Sequence, residues 1–207
     1  MKKIVFSIIF LTNLSYFINS SAVGGELTVT TGSNKIEYKK AYFAGGCFWC
    51  MEESFDKVKG VIKSISGYSG GHVKNPTYRQ VIYEKTGHVE AIEVTYDPKL
   101  TNYKKLLQVF WRNIDPFDAT GQFCDKGESY RSVAFYQNRM QKNFIEQAVK
   151  DIENKFNNKK VVTLTWEFEK FYPAEDYHQD YYQNNFLRYL AYKSGCQRED
   201  ILNKIWN

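Results

Sequence analysis

The sequence has 207 residues, 43% of them hydrophobic and 25% charged. These are ordinary values for a soluble globular protein, and the length suits one domain with an N-terminal extension. The formal charge of +5 is spread along the chain in pairs such as Lys104-Lys105 and Lys159-Lys160. No basic stripe forms, so nucleic acid is not an expected partner. Aromatic residues reach 17%, which fits either core packing or an aromatic-lined pocket.

Residues 1–22 have the layout of a secretory signal peptide: Lys2-Lys3, an uncharged and mostly apolar run from Ile4 to Ile18, then Ser20, Ser21 and Ala22. The expected location is therefore outside the cytoplasm, with an uncleaved membrane anchor as the alternative. Residues 23–38 are small and polar and read as a linker. The folded domain is then expected over 39–207.

Tyr42-Phe43-Ala44, stopped by Gly45-Gly46, reads as a strand, and a helix is predicted from Cys47 to Val58. Val61 to Tyr68 is a second strand, Gly70-Gly71 and Asn75-Pro76 mark a loop, and Val89 to Tyr96 is a third strand. Thr101 is positioned to cap the next helix. Tyr103, Leu106, Leu107, Phe110, Trp111 and Ile114 recur at helical spacing and make one apolar face. Asp115 to Ser129 reads as a loop, Ser132 to Tyr136 as a strand and Arg139 to Phe156 as a helix. In Val161 to Phe168, four large apolar residues alternate as on a strand. The tail is polar and aromatic, with a short helix near Asp200. Mixed strands and helices predict an α/β or α+β sandwich, a mixed sheet flanked by helices with long irregular segments.

The four cysteines are Cys47, Cys50, Cys124 and Cys196. An exported chain could carry two structural disulfides. A zinc site would need a second C-x-x-C, which the sequence lacks, so no metal is expected. Cys47 follows two glycines and opens a helix, where free N–H groups and the positive dipole end favour a thiolate. Glu90 shares a strand face with Ile92, Val94 and Tyr96. Packed on the core, its carboxyl would be desolvated and held neutral, fit to act as a general acid. Together the pair supplies a nucleophile and a proton for a departing oxygen. Tyr78 and Tyr130 stand beside turn-rich segments and offer further hydroxyl donors.

Gly46-Cys47-Phe48-Trp49, Gly67-Tyr68-Ser69-Gly70-Gly71, Asn75-Pro76-Thr77-Tyr78, Thr86-Gly87-His88-Val89-Glu90, Tyr96-Asp97-Pro98, Tyr130-Arg131-Ser132 and Pro173 to Gln179 occur in this order. Together they resemble the A-type peptide methionine sulfoxide reductases over roughly residues 40–200. The resemblance implies a plait-type α/β fold and reduction of the S epimer of methionine sulfoxide, free or in proteins. It implies Cys47 as nucleophile, Glu90 as proton donor, and Tyr78 and Tyr130 as hydrogen-bond partners of the sulfoxide oxygen. Phe48 and Trp49 would form the methyl pocket, and Asp125 would hold the substrate backbone. No cofactor would be bound, and electrons would come from an external thioredoxin-like dithiol to a monomeric enzyme.

Cys196, after Gly195, resembles the C-terminal resolving cysteine of many members and is the preferred partner for oxidised Cys47. Cys50 is the rival, since its i+3 spacing puts it on the same helix face. Cys124 would receive the disulfide later or have no role. Two other classes stay open: a cysteine hydrolase using His88 or His178 as base, and a binding domain stapled by two inert disulfides.

Overall fold

The computed structural model describes residues 37–207, so the expected signal peptide and most of the expected linker lie outside the described residues. Its centre is strand β1 (Lys39–Gly45), which pairs antiparallel with β3 (Val89–Tyr96) on one side and β6 (Ser132–Tyr136) on the other. Beyond β3 lie β2 (Val61–Ser69) and β8 (Phe171–Pro173), both antiparallel. Beyond β6 lies β7 (Leu164–Glu167), the one parallel neighbour in a six-stranded mixed sheet ordered β7-β6-β1-β3-β2-β8. A separate hairpin, β4 (Gly121–Gln122) with β5 (Asp125–Lys126), interrupts the long segment before β6.

Period-two alternation in β1 and β3 feeds two cores. Ala41, Phe43, Ile92, Val94 and Tyr96 point to one face, where α1 (Phe48–Asp56), α3 (Tyr103–Arg112), α4 (Arg139–Lys155) and α7 (Arg198–Trp206) bring Phe55, Phe110, Ile145 and Trp206. Tyr42, Ala44, Val89 and Ala91 point to the other face, against Phe135, Trp166, Phe168 and Phe171. Both sides of β3 are therefore covered, and inward residues of either parity are buried. Glu90 lies on the helix side, as the alternation with Ile92 and Val94 requires.

Several boundaries differ from the sequence reading. The third helix is capped by Asn102, whose side chain accepts from the Lys105 N–H, and not by Thr101. The expected strand over 161–168 is reduced to β7, because Val161 turns toward the helical core and the Val162 N–H donates to the Pro116 carbonyl. Three further helices were not foreseen: α2 (Tyr78–Tyr83), the single turn α5 (Tyr181–Asn184) and α6 (Phe186–Gly195). Their faces mix tyrosines with polar residues and lack the continuous apolar stripe that marks α3. Among the described residues no helix is long and apolar enough to cross a membrane.

Candidate active site

The turn from β1 into α1 sets the position of Cys47. Gly46 takes φ +76°, and a Cβ there would lie 2.5 Å from Gln122 Cβ. Only glycine meets both demands without strain. Gln122 is itself fully buried, and its amide group clamps Asp115 by accepting from the N–H (2.8 Å) and donating to the carbonyl (2.9 Å). The close approach of Gly46 thus seats the β4–β5 hairpin, with Asp125 on it, beside the cysteine.

Cys47, Phe48, Trp49, Tyr78, Glu90, Asp125 and Tyr130 line one small cavity of about 80 Å³. Every catalytic and substrate-binding residue expected from the sequence is in that wall. Tyr192, from α6, completes the lining and was not expected. Its hydroxyl donates to Asp125 Oδ2 and faces the same cavity as Cys47. Tyr189, Tyr192 and Cys196 recur at i, i+3 and i+7 along one helix face, a signal that a helical reading of the tail would have exposed.

Glu90 is 2% exposed, and its Oε2 accepts from the Phe48 N–H at 3.0 Å. Burial raises its pKa well above the carboxylate range; the Phe48 N–H pulls it down, and the charges of Asp125 and Cys50 push it further up. Burial therefore favours the neutral carboxylic acid over the carboxylate. With Oε2 occupied as acceptor, a proton on the other oxygen is free to be donated. Tyr78 is pushed up to about 12 by burial first and by Glu90 second. Tyr130 is raised too, for the same leading reasons, with Tyr78 adding to the rise. Both remain donors over the physiological range.

Tyr78 is held by the capping box of α2, where Thr77 and Gln80 bond reciprocally, and its N–H donates to Glu175 Oε1 at 2.8 Å. The other carboxylate oxygen of Glu175 accepts from the Tyr68 hydroxyl at 2.9 Å, tying α2 to β2. Trp49 stacks on Tyr181 at 3.8 Å, and Phe48 packs on His178 at 5.0 Å. The apolar walls are thereby fixed from behind.

The cysteines differ from expectation in two respects. Cys47 is the N-cap of α1, yet its thiol is raised well above its ordinary range: burial leads, then the Cys50 sulfur and Glu90, with only Tyr192 opposing. Burial and a neighbouring sulfur outweigh the helix end. Cys50 is the lowered partner, at about 7, because the Cys47 thiol donates to it, with Arg198, Tyr189 and Lys193 assisting against burial. Second, Cys196 is bonded to Cys124, and the sulfur beside Cys47 is that of Cys50. The preferred resolver is not the one placed at the nucleophile.

Neither rival class gains support. His88 Nδ1 accepts from the Gly71 N–H at 3.1 Å and Nε2 lies 2.8 Å from the Val73 carbonyl, so both ring nitrogens are spent on a loop. His178 is wedged among Phe48, Tyr78 and Tyr177 rings with both nitrogens unpartnered. The binding-domain reading requires two bridges, but Cys47 and Cys50 are free thiols.

Residues 39–207 match the family model described as peptide methionine sulfoxide reductase. The chain belongs to that family. It is 47% identical over 167 residues to MsrA of Bacillus licheniformis, a match spanning 80% of this chain and 92% of the relative. It is also 47% identical over 178 residues to MsrA/MsrB of Vibrio cholerae, covering 86% of this chain but only 47% of that longer protein. Reduced Mxr1 of Saccharomyces cerevisiae superposes with a TM-score of 0.67 at 28% identity, over 73% of this chain and 88% of the yeast chain. MsrA of Corynebacterium diphtheriae gives 0.65 at 27% identity, over 72% and 75%. The family membership accounts for the mixed sheet flanked by helices and for methionine sulfoxide reduction as the activity.

Proposed function

We propose that the chain reduces the S epimer of methionine sulfoxide, free or within proteins, by direct attack of Cys47 on the sulfoxide sulfur. The observation that carries this reading is the convergence of a thiol, a neutral buried carboxyl and two tyrosine hydroxyls on one cavity with Phe48 and Trp49 as its apolar walls. The substrate methyl group packs on the two rings. The sulfoxide oxygen accepts from Tyr78 and Tyr130, and Glu90 delivers the proton as the sulfur–oxygen bond is transferred to Cys47. Asp125, at the cavity edge, takes the N–H groups of the substrate backbone. The products are methionine and a Cys47 sulfenic acid.

A second thiol condenses with the sulfenic acid, and an external thioredoxin-like dithiol returns the enzyme to its starting state. The Mxr1 relative has a structure in complex with Trx2, which supports a reductant of this class. The sequence of residues 1–22 supports export and a role in repairing oxidised proteins outside the cytoplasm, where the chain would act as a monomer.

Steady-state turnover with dithiothreitol on separated S and R epimers tests the reading. Turnover of the S epimer with little or none of the R epimer is expected. Equal rates on both would contradict the single ordered cavity. N-terminal sequencing of the chain recovered from its native compartment tests the export step, and a start near residue 23 is expected.

A further inference from the structure

Accepting the reductase reading on which it rests, we propose that Glu52 is a positioning residue for the methyl wall: it seats the segment from His178 to Tyr181 against Trp49. Glu52 has no part in the chemistry derived above. It lies on α1, three residues after Trp49 and on the same side of the helix. It is fully buried, and both carboxylate oxygens lack a protein partner. A leucine would fill such a place without the cost of burying a carboxyl.

The segment from His178 to Tyr181 braces the wall from behind. Tyr181 stacks on Trp49 at 3.8 Å with the planes 10° apart. The His178 ring lies 5.7 Å from Trp49, 5.0 Å from Phe48 and 4.5 Å from Tyr78. Gln179 ties the segment to β2: it accepts from the Ser66 N–H (3.0 Å) and donates to the carbonyls of Ser66 (3.0 Å) and Ala174 (2.9 Å). Asp180, at φ +51°, turns the chain into α5. The groups that bear on the Glu52 carboxyl belong to both anchors, Ser66 on β2 and Asp180 on the segment. Trp49 Nε1, the Ser64 and Ser66 hydroxyls and both His178 nitrogens are also buried without a protein partner, on these same three pieces of chain. A neutral carboxylic acid brings them a donor as well as acceptors, whereas a carboxylate brings acceptors only.

The surrounding charges decide which form holds the segment. Burial raises Glu52 to about 8, and the charges of Asp180, on the segment, and Asp56, one turn along α1, add to the rise. Burial lowers His178, against Glu175, so it supplies no cation at neutral pH. Asp56, Asp180, Lys63 and Tyr182 line one cavity of about 360 Å³. The Tyr182 hydroxyl donates to Asp56 at 2.9 Å, and Lys63 is exposed and screened by solvent. The neutral acid therefore meets Asp180 without repulsion. Ionised, Glu52 loses its donor and sets a third negative charge beside two others. The seat is present below about 8 and is lost as pH rises through that value.

The test is calorimetric binding of N-acetyl-methionine S-sulfoxide amide, an uncharged probe, to Cys47→Ser, which cannot take the oxygen. Kd is expected to rise by up to about tenfold between pH 7 and 9, the limit for one proton lost at about 8. Adding Glu52→Gln, which fixes the neutral form, is expected to hold Kd flat over that range. Asp180→Asn is expected to move the rise to higher pH. No rise in Cys47→Ser, or a rise that persists after Glu52→Gln and so belongs to Glu90, would overturn the assignment. Near-UV circular dichroism checks that each variant folds; if Glu52→Gln does not, an unshifted rise in Asp180→Asn overturns it alone. Absence of binding at every pH, together with no methionine from the wild type, would overturn the reductase reading and the seat with it.

Discussion

Glu90→Gln separates proton delivery from shape. Glutamine keeps an oxygen that can accept from the Phe48 N–H now 3.0 Å away, and keeps the volume of a side chain that is 2% exposed. It has an N–H donor toward the cavity but no proton to surrender. General acid catalysis contributes roughly 10²–10⁴-fold. Loss of kcat by about two to four powers of ten is expected, or about 3–5 kcal/mol in the barrier. KM should stay within a few-fold, because the tyrosine and aromatic contacts remain. The pH profile carries a second signature. Wild-type activity should rise with pH as the Cys47/Cys50 pair loses its proton, and fall as pH passes the raised pKa of Glu90. The variant should lose the alkaline fall. Steady-state kinetics from pH 5 to 10 reads both effects. Full kcat with an unchanged alkaline limb would show that Glu90 is not the acid.

Gly46→Ala forces a Cβ to 2.5 Å from Gln122 Cβ at a φ of +76°. Chemical denaturation should report a loss above the roughly 1–2 kcal/mol of the backbone cost alone, together with reduced kcat as Cys47 and Asp125 lose register. Glu52 is fully buried with both carboxylate oxygens unpartnered, and burial raises it to about 8, with the charges of Asp180 and Asp56 adding to the rise. Its folded pKa lies above the unfolded one, so its contribution is fully present below about 4.3 and is lost as pH climbs through about 8. Glu52→Gln should flatten that fall in a Tm-against-pH series; an unchanged slope would assign it to other groups. Trp206 packs in the helical core and donates from Nε1 to the Ile114 carbonyl at 3.1 Å. Trp206→Ala should cost about 3–5 kcal/mol in urea unfolding, and a loss below 1 kcal/mol would mean the C-terminal helix is not needed for the core.

Most of the sheet and the long helices were legible because their side chains repeat with a clean period. β3 and β6 match their expected bounds, and the apolar face of α3 is that of its sequence stripe. Cys47 was legible from the glycine-to-helix turn and Glu90 from strand alternation, whereas Phe48, Trp49 and Asp125 were named only through the resemblance. The tail was not, because its helices carry tyrosines that serve both packing and hydrogen bonding. Asp180 and Gln197 introduce left-handed breaks at positions where no glycine announces them. Tyr192 was lost with α6. The thiol electrostatics were also out of reach: helix-end position predicts a lowered Cys47, while the outcome depends on burial and on a hydrogen bond to Cys50. The pairing of Cys124 with Cys196 joins residues 72 apart in sequence, and no local pattern encodes it.

The central claim is that the Cys47 thiol takes the sulfoxide oxygen. Single-turnover reduction of methionine S-sulfoxide by the fully reduced chain, compared with Cys47→Ser, tests it most directly. Methionine from the wild type and none from the variant is the expected result. Methionine released by Cys47→Ser at the wild-type rate would contradict the account.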